Sequence, residues 1–160
     1  MTPRARIPYH DPVQSFTELI SRDRQSTIEI GRRIGLRLQP GAVLSLEGVL
    51  GSGKTTLVKG IALALEIGEE VTSPTFTLIS QYRGRRAGRE LALVHIDLYR
   101  IERERELEDL GLEEFFGSQA ITVIEWGEKA RAFLPPEAVS LRLNLEADGS
   151  RRLQLRGLEL

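Results

Sequence analysis

The sequence has no cysteine. Disulfides and thiolate chemistry are therefore excluded, and a reducing compartment is allowed. It also lacks an excess of either charge, with 22 basic against 23 acidic residues and a net charge of -1. A broad basic face that binds nucleic acid unaided is not expected from such a balance, although a local patch is compatible with it. No stretch approaches the roughly 18 apolar residues of a membrane span. The opening residues, "MTPRARIPYHDPVQSF", show no apolar run of the signal-peptide kind. A cytoplasmic chain without a membrane partner is the expectation. There is no internal repeat, no low-complexity segment and no N-K-x-D guanine reader. No Ser/His/acid arrangement for acyl transfer can be read from the chain.

What is present is an ordinary globular composition, 41% hydrophobic and 28% charged over 160 residues, enough for one domain with one core. Residues 1–15 carry three prolines and little periodicity, and read as a loose arm ahead of a domain spanning 16–160. "STIEIGRRIGLRL" predicts a helix, with Ser26 as cap, Glu29 completing a capping box and Ile30, Ile34 and Leu38 on one face. "AVLSLEG" predicts a short buried strand, and "KTTLVKGIALALEI" a second helix closing near Gly68. "TLISQY" and "LALVHID" read as strands flanking a polar hairpin tip, "RGRRAGRE". "IERERELEDLGLEEFFG" predicts a helix bent at Gly111, and "AITVIEW" a buried strand running into a charged loop that ends at Pro135-Pro136. "VSLRLNLEADGSRRLQLRGL" alternates with period two around a tight turn at Asp148-Gly149. Strands alternating with helices, then a hairpin, indicate a single α/β domain with a mixed parallel and antiparallel sheet flanked by helices.

The stretch "LEGVLGSGKTTLVKG", Leu46 to Gly60, carries the chemistry. Gly48, Gly53, Lys54 and Thr55 satisfy G-x-x-x-x-G-K-[ST]. Gly51 and Gly53 remove Cβ atoms, so that consecutive N–H groups turn toward one anion. The segment Gly51, Ser52, Gly53, Lys54, Thr55 and Thr56 is thus the expected phosphate cradle, reinforced by the positive end of the following helix. Lys54 would neutralise β- and γ-phosphate oxygens, and the Thr55 hydroxyl would ligate Mg²⁺. The ligand class is a nucleoside triphosphate with magnesium.

Such a site needs a second acid on the metal side. Asp97 ends "LALVHID" and Glu125 ends "AITVIE", both after apolar runs. A carboxylate at the carboxyl end of a buried strand beside a P-loop is placed for Mg²⁺ or for the attacking water. The plain alternatives are a turn cap for Asp97 and a surface strand end for Glu125. Thr75, in "TSPTF", is a candidate for closing on the γ-phosphate, against a simple turn hydroxyl held by Pro74. His95 shares a strand face with Asp97 and is expected to be packed and hydrogen-bonded rather than a proton-transfer group. Trp126 has three readings: beside the nucleotide, on a partner surface, or in the core. Arg100 is a candidate charge stabiliser or a tie for its own loop. The basic tip is read as solvated, with contact to RNA or an acidic partner as the other reading.

These segments also carry a resemblance. "LEGVLGSGKTTLVKG", "VTSPTFTLI", "HIDLYRI", "ELEDLGLEEFF" and "ITVIEWGEKA", followed by "LP", stand here in the order and spacing of the TsaE family. That family is the small bacterial ATPase of the machinery making threonylcarbamoyladenosine on tRNA. The resemblance runs from about Ser26 to Pro135. It implies a P-loop fold with a mixed sheet, a cytoplasmic setting and weak intrinsic ATP hydrolysis raised by two partners, TsaB and TsaD. It implies that TsaD transfers the threonylcarbamoyl group to adenosine at tRNA position 37, that ATP hydrolysis resets the complex, and that tRNA is reached only through that complex. Family metal ligands map to Thr55 and Glu125, with Asp97 nearby, and Ser21 to Ser26 would lie towards the base. Val49 and Ser52 depart from the usual family aspartate and alanine, both at variable P-loop positions. A small-molecule kinase, with "YRGRRAGRE" misread as its lid, and a nucleotide-sensing module without turnover are the competing classes.

Overall fold

The computed structural model describes residues 16–74, 76–117 and 119–160. The expected arm and Thr75 lie outside the described residues. The chain order is β1 (Phe16–Ser21), α1 (Arg24–Arg37), β2 (Val43–Glu47), α2 (Lys54–Ala64), β3 (Ile79–Tyr82), β4 (Arg85–Arg86), β5 (Arg89–Glu90), β6 (Ala92–Asp97), α3 (Glu104–Leu110), β7 (Ala120–Glu125), β8 (Val139–Leu145) and β9 (Arg151–Arg156). Two short 3-10 segments, Leu112–Phe115 and Gly127–Phe133, follow α3 and β7.

The main sheet has seven strands in the order β1-β9-β8-β2-β7-β6-β3. Its centre is parallel, β8 with β2, β2 with β7 and β7 with β6, and its flanks are antiparallel. The mixed sheet is thus as expected. The central strands alternate between two buried clusters. Leu44, Leu46, Ile121 and Val123 pack with Ile34, Leu57 and Ile61 of α1 and α2. Val43, Ile96 and Ile124 pack with Leu107 and Leu112 around α3. With apolar residues demanded on both faces, β2 and β7 read as continuous runs, which is the signature of covered parallel strands.

Helices α1 and α2 touch at backbone range. A Cβ on Gly31 would lie 2.2 Å from the Leu57 carbonyl oxygen, and one on Gly60 would lie 2.0 Å from that of Ile28. This close crossing presses α2, and with it the P-loop at its start, against the sheet.

Five local expectations are corrected. Helix α1 is capped by Asp23, whose carboxylate accepts from the Ser26 N–H at 2.7 Å, while Ser26 Oγ accepts from the Asp23 N–H. Glu29 bonds Arg32 instead. Asp wins as cap because its oxygen reaches the third amide of the helix while its own backbone stays extended. Helix α2 ends at Ala64, before the left-handed Glu66, and not at Gly68. Strand β1 was not expected: it is an edge strand whose Phe16, Glu18 and Ile20 face solvent, so its alternation carries no apolar face. The segment after Glu125 is a 3-10 turn and not a plain charged loop. The basic tip is a small hairpin, β4 with β5, but it is not wholly solvated. Arg86 donates through Nη1 to the carbonyls of Gly35 and Leu38, both at 2.7 Å, closing the open end of α1.

Among the described residues, no helix is long and apolar enough to cross a membrane.

Candidate functional site

Strand β2 delivers the chain into the turn Gly48–Gly53, and α2 begins at Lys54. The turn needs backbone that side chains resist: Gly53 caps the helix at φ 106, in the left-handed region. The carboxyl ends of β6 and β7 border the same turn. Together they form a cleft of about 400 Å³ reached by Gly51, Gly53, Lys54, Thr55 and Thr56 on one wall and by Asp97 and Glu125 on the other. Ser52 is buried and turns away from it. Five further residues line the cleft without having been anticipated there as a group: Leu50, Ser73, Tyr99, Trp126 and Arg151 complete the walls around Thr55.

The acid wall is organised by hydrogen bonds. Glu125, 3% exposed, takes the Thr55 hydroxyl on Oε1 at 2.7 Å and faces His95 Nε2 with the same oxygen at 2.8 Å. With Glu125 ionised, the imidazole donates from Nε2. Its Nδ1 is then buried with no partner among the described residues. Thr55, whose hydroxyl hydrogen is donated in a hydrogen bond to Glu125, keeps its oxygen lone pairs for a cation, so the donor set fits a hard divalent metal. Asp97, 6% exposed, accepts from Ser73 Oγ at 2.5 Å and from the Tyr99 N–H at 2.9 Å. It therefore caps the turn after β6 and also borders the cleft. Glu125 is no surface strand end.

The cationic wall is Lys54. Its ammonium donates to the carbonyls of Gly48 at 2.6 Å and Val49 at 3.0 Å, and lies 4.2 Å from the Trp126 ring centre. Burial pushes Lys54 below the ordinary lysine range, against the pull of Glu125, Glu128 and Asp97. Trp126 thus stands beside the site, in left-handed backbone at φ 58, with its ring 5.2 Å from that of Tyr99. Lys129 pins the loop that carries Tyr99 by donating to the carbonyls of Leu98, Tyr99 and Ile101. Arg100 does not line the cleft; its guanidinium lies 4.6 Å over the Phe76 ring and ties the loop. Tyr99 and Lys129 lie within the segments "HIDLYRI" and "ITVIEWGEKA" that carry the family resemblance, although neither was given a role from the sequence; Arg151 carried no motif signal that would have singled it out.

A family model described as "Threonylcarbamoyl adenosine biosynthesis protein TsaE" matches residues 21–153. The chain belongs to the TsaE family. The match extends past Pro135 into the terminal hairpin, beyond the stretch on which the resemblance rested. Relatives named tRNA threonylcarbamoyladenosine biosynthesis protein TsaE agree with it. The one from Treponema pallidum is 42% identical over 84% of this chain and 96% of its own length. That of a Nostoc species is 37% identical over 89% and 87%, and that of Bacillus subtilis 40% over 81% and 78%. The fold matches the crystal structure of Bacillus subtilis YdiB with a TM-score of 0.74 at 30% identity, covering 91% of this chain and 87% of that one. The TsaE chain described above thus combines a mixed-sheet α/β fold with a nucleotide-binding P-loop.

Proposed function

We propose that this TsaE-family chain hydrolyses ATP with Mg²⁺, and that it does so in the service of the TsaB–TsaD pair that modifies tRNA at position 37. The observation that carries the reading is the run Thr55–Glu125–His95, which holds a buried carboxylate against a P-loop hydroxyl. Lys54 and the amides at the start of α2 would take the phosphates. Thr55 would hold Mg²⁺, with Glu125 accepting the hydrogen bond from the Thr55 hydroxyl and Asp97 facing the same cleft; Thr75, outside the described residues, keeps its candidate assignment toward the γ-phosphate from its place in the "TSPTF" loop. The ion would neutralise phosphate charge when bound. Glu125 and Asp97 would orient what binds there, and His95 would keep Glu125 in place.

Dependence on partners follows from two features. Among the described residues no arginine is hydrogen-bonded to Asp97 or Glu125, and Arg151, the one arginine lining the cleft, is held on the P-loop side by the Ser52 carbonyl; charge stabilisation at the γ-phosphate end is then incomplete and turnover alone should be slow. The rim is apolar, with Leu50 and Tyr99 exposed at the cleft mouth and Val49 and Leu145 exposed beside Trp126. Such clustering suits a protein partner. tRNA is reached through the complex, and the reading carries a cytoplasmic setting with it.

The kinase alternative loses its lid. The basic tip lies beyond the Tyr82–Leu93 end of the β3–β6 pair, while Asp97 lies at the opposite end of β6, and Arg86 is tied to α1. Phosphate release should be slow alone and faster with TsaB–TsaD. Multiple-turnover tRNA modification should stall with Glu125→Gln. Full activity without partners, or undiminished cycling with that variant, defeats the proposal.

A further inference from the structure

Arg151 is the one residue of the C-terminal hairpin that reaches the cleft. It opens β9 opposite Leu145 of β8 and Ser21 of β1. Its Nε donates to the Ser52 carbonyl at 3.1 Å, and its Nη1 to the Gly149 carbonyl at 3.3 Å. The side chain lies so close to the P-loop that a Cβ on Gly53 would stand 3.3 Å from Nε. Two carbonyls leave most of the guanidinium's five N–H donors unspent.

Its charge is also uncompensated. The adjacent Arg152 pairs with Glu18 and Glu146, Arg131 and Arg142 share Glu47, and Arg32 pairs with Glu29. Arg151 has no ion pair among the described residues, though it is only partly exposed. A cation held half-buried against carbonyl oxygens, next to Lys54 and the start of α2, is an arrangement that lowers its energy most when an anion enters the cleft.

We propose that Arg151 is a phosphate-contacting residue of the nucleotide site, clamping the P-loop at Ser52 and donating its remaining N–H groups to the polyphosphate chain. This rests on the nucleotide reading given above and deepens it. The terminal hairpin becomes part of the binding site, and nucleotide occupancy is coupled to the β8–β9–β1 edge of the sheet.

The test is calorimetry on the full chain with ATP–Mg²⁺ and, separately, inorganic tripolyphosphate. Arg151→Ala should weaken both by about tenfold, the scale of one charge-assisted contact. Arg151→Lys should recover part of the loss, because charge returns but the fork does not. Unchanged affinity for both ligands in Arg151→Ala overturns the proposal. Weakening toward ATP alone also overturns it, since the side chain then faces the nucleoside. If Arg151→Ala does not fold, arginine-selective dicarbonyl labelling of the unmodified chain decides. Tripolyphosphate should protect Arg151 while leaving Arg32 reactive, and equal labelling of Arg151 with and without it counts against the contact. Lys54→Ala separates the two readings. Loss of binding there with none in Arg151→Ala sinks only the Arg151 contact, whereas no binding by the unmodified chain sinks the nucleotide reading too.

Discussion

Asp97 and Glu125 are register partners, side by side at the carboxyl ends of the adjacent parallel strands β6 and β7. The two carboxylates differ in what holds them. Asp97 is engaged by Ser73, from the loop between α2 and β3, and by the Tyr99 amide of the turn that follows it. Glu125 is engaged by the P-loop helix and by a buried histidine. Glu125 is therefore the better-placed acid for the Thr55 side of the cleft.

Glu125→Gln keeps shape and leaves one oxygen able to accept from both Thr55 and His95. The fold should survive, with ATP hydrolysis reduced about a hundredfold or more, in the range seen when electrostatic stabilisation of a reacting centre is removed. Asp97→Asn should also lose hydrolysis, and excess Mg²⁺ should partly restore binding in both. Normal turnover in both variants would show that neither acid serves the metal side.

Lys54→Ala should cost about ten- to a hundredfold in ATP affinity, the equivalent of roughly 1.5–3 kcal/mol for a charged hydrogen bond. Calorimetry measures it directly. Unchanged affinity together with normal hydrolysis would remove the P-loop assignment.

Trp126 reports on the same lysine. Its ring lies 4.2 Å from the Lys54 ammonium, and no other tryptophan is present. When Lys54 turns from the Gly48 and Val49 carbonyls to phosphate, tryptophan emission should change in step with binding. A flat titration at saturating ATP–Mg²⁺ would mean that Lys54 does not leave the ring.

Gly60→Ala tests the helix crossing. The added Cβ would collide with the Ile28 carbonyl, and overpacking at such a contact costs about 1–3 kcal/mol or more. Chemical denaturation should show a lower midpoint. A variant as stable as the unmodified chain would mean that α1 and α2 separate freely at this point.

Glu47 gives a pH signature. Burial raises its carboxyl, but hydrogen bonds and charge from Arg142 and Arg131 outweigh that and hold it below the ordinary carboxylate range. A depressed folded value means that the contribution to stability is present above the unfolded value, near 4.5, and is lost as pH falls through the folded one. Glu47→Gln should therefore cost about 1 kcal/mol near neutrality. The gap between the two proteins should close on acidification below that window; a gap independent of pH would assign the effect to packing instead.

The sequence by itself determined the elements whose reasons are local. A glycine turn followed by lysine and threonine states its ligand, because backbone freedom and charge order are written in consecutive residues. Apolar runs ending in Asp97 and Glu125 state buried strands with acids at their ends, since burial on both faces leaves no other pattern. The tertiary structure alone decided the rest. Pairing of β6 with β7 put the two acids in register, and only folding brought His95 and Thr55, 40 residues apart in number, to one carboxylate oxygen. Strand β1 and Arg151 were silent because an exposed edge and a lone arginine carry no periodicity; their roles come from what β9 pairs with. The helix crossing at Gly31 and Gly60 was equally silent. A glycine in a helix shows its purpose only when another backbone arrives against it.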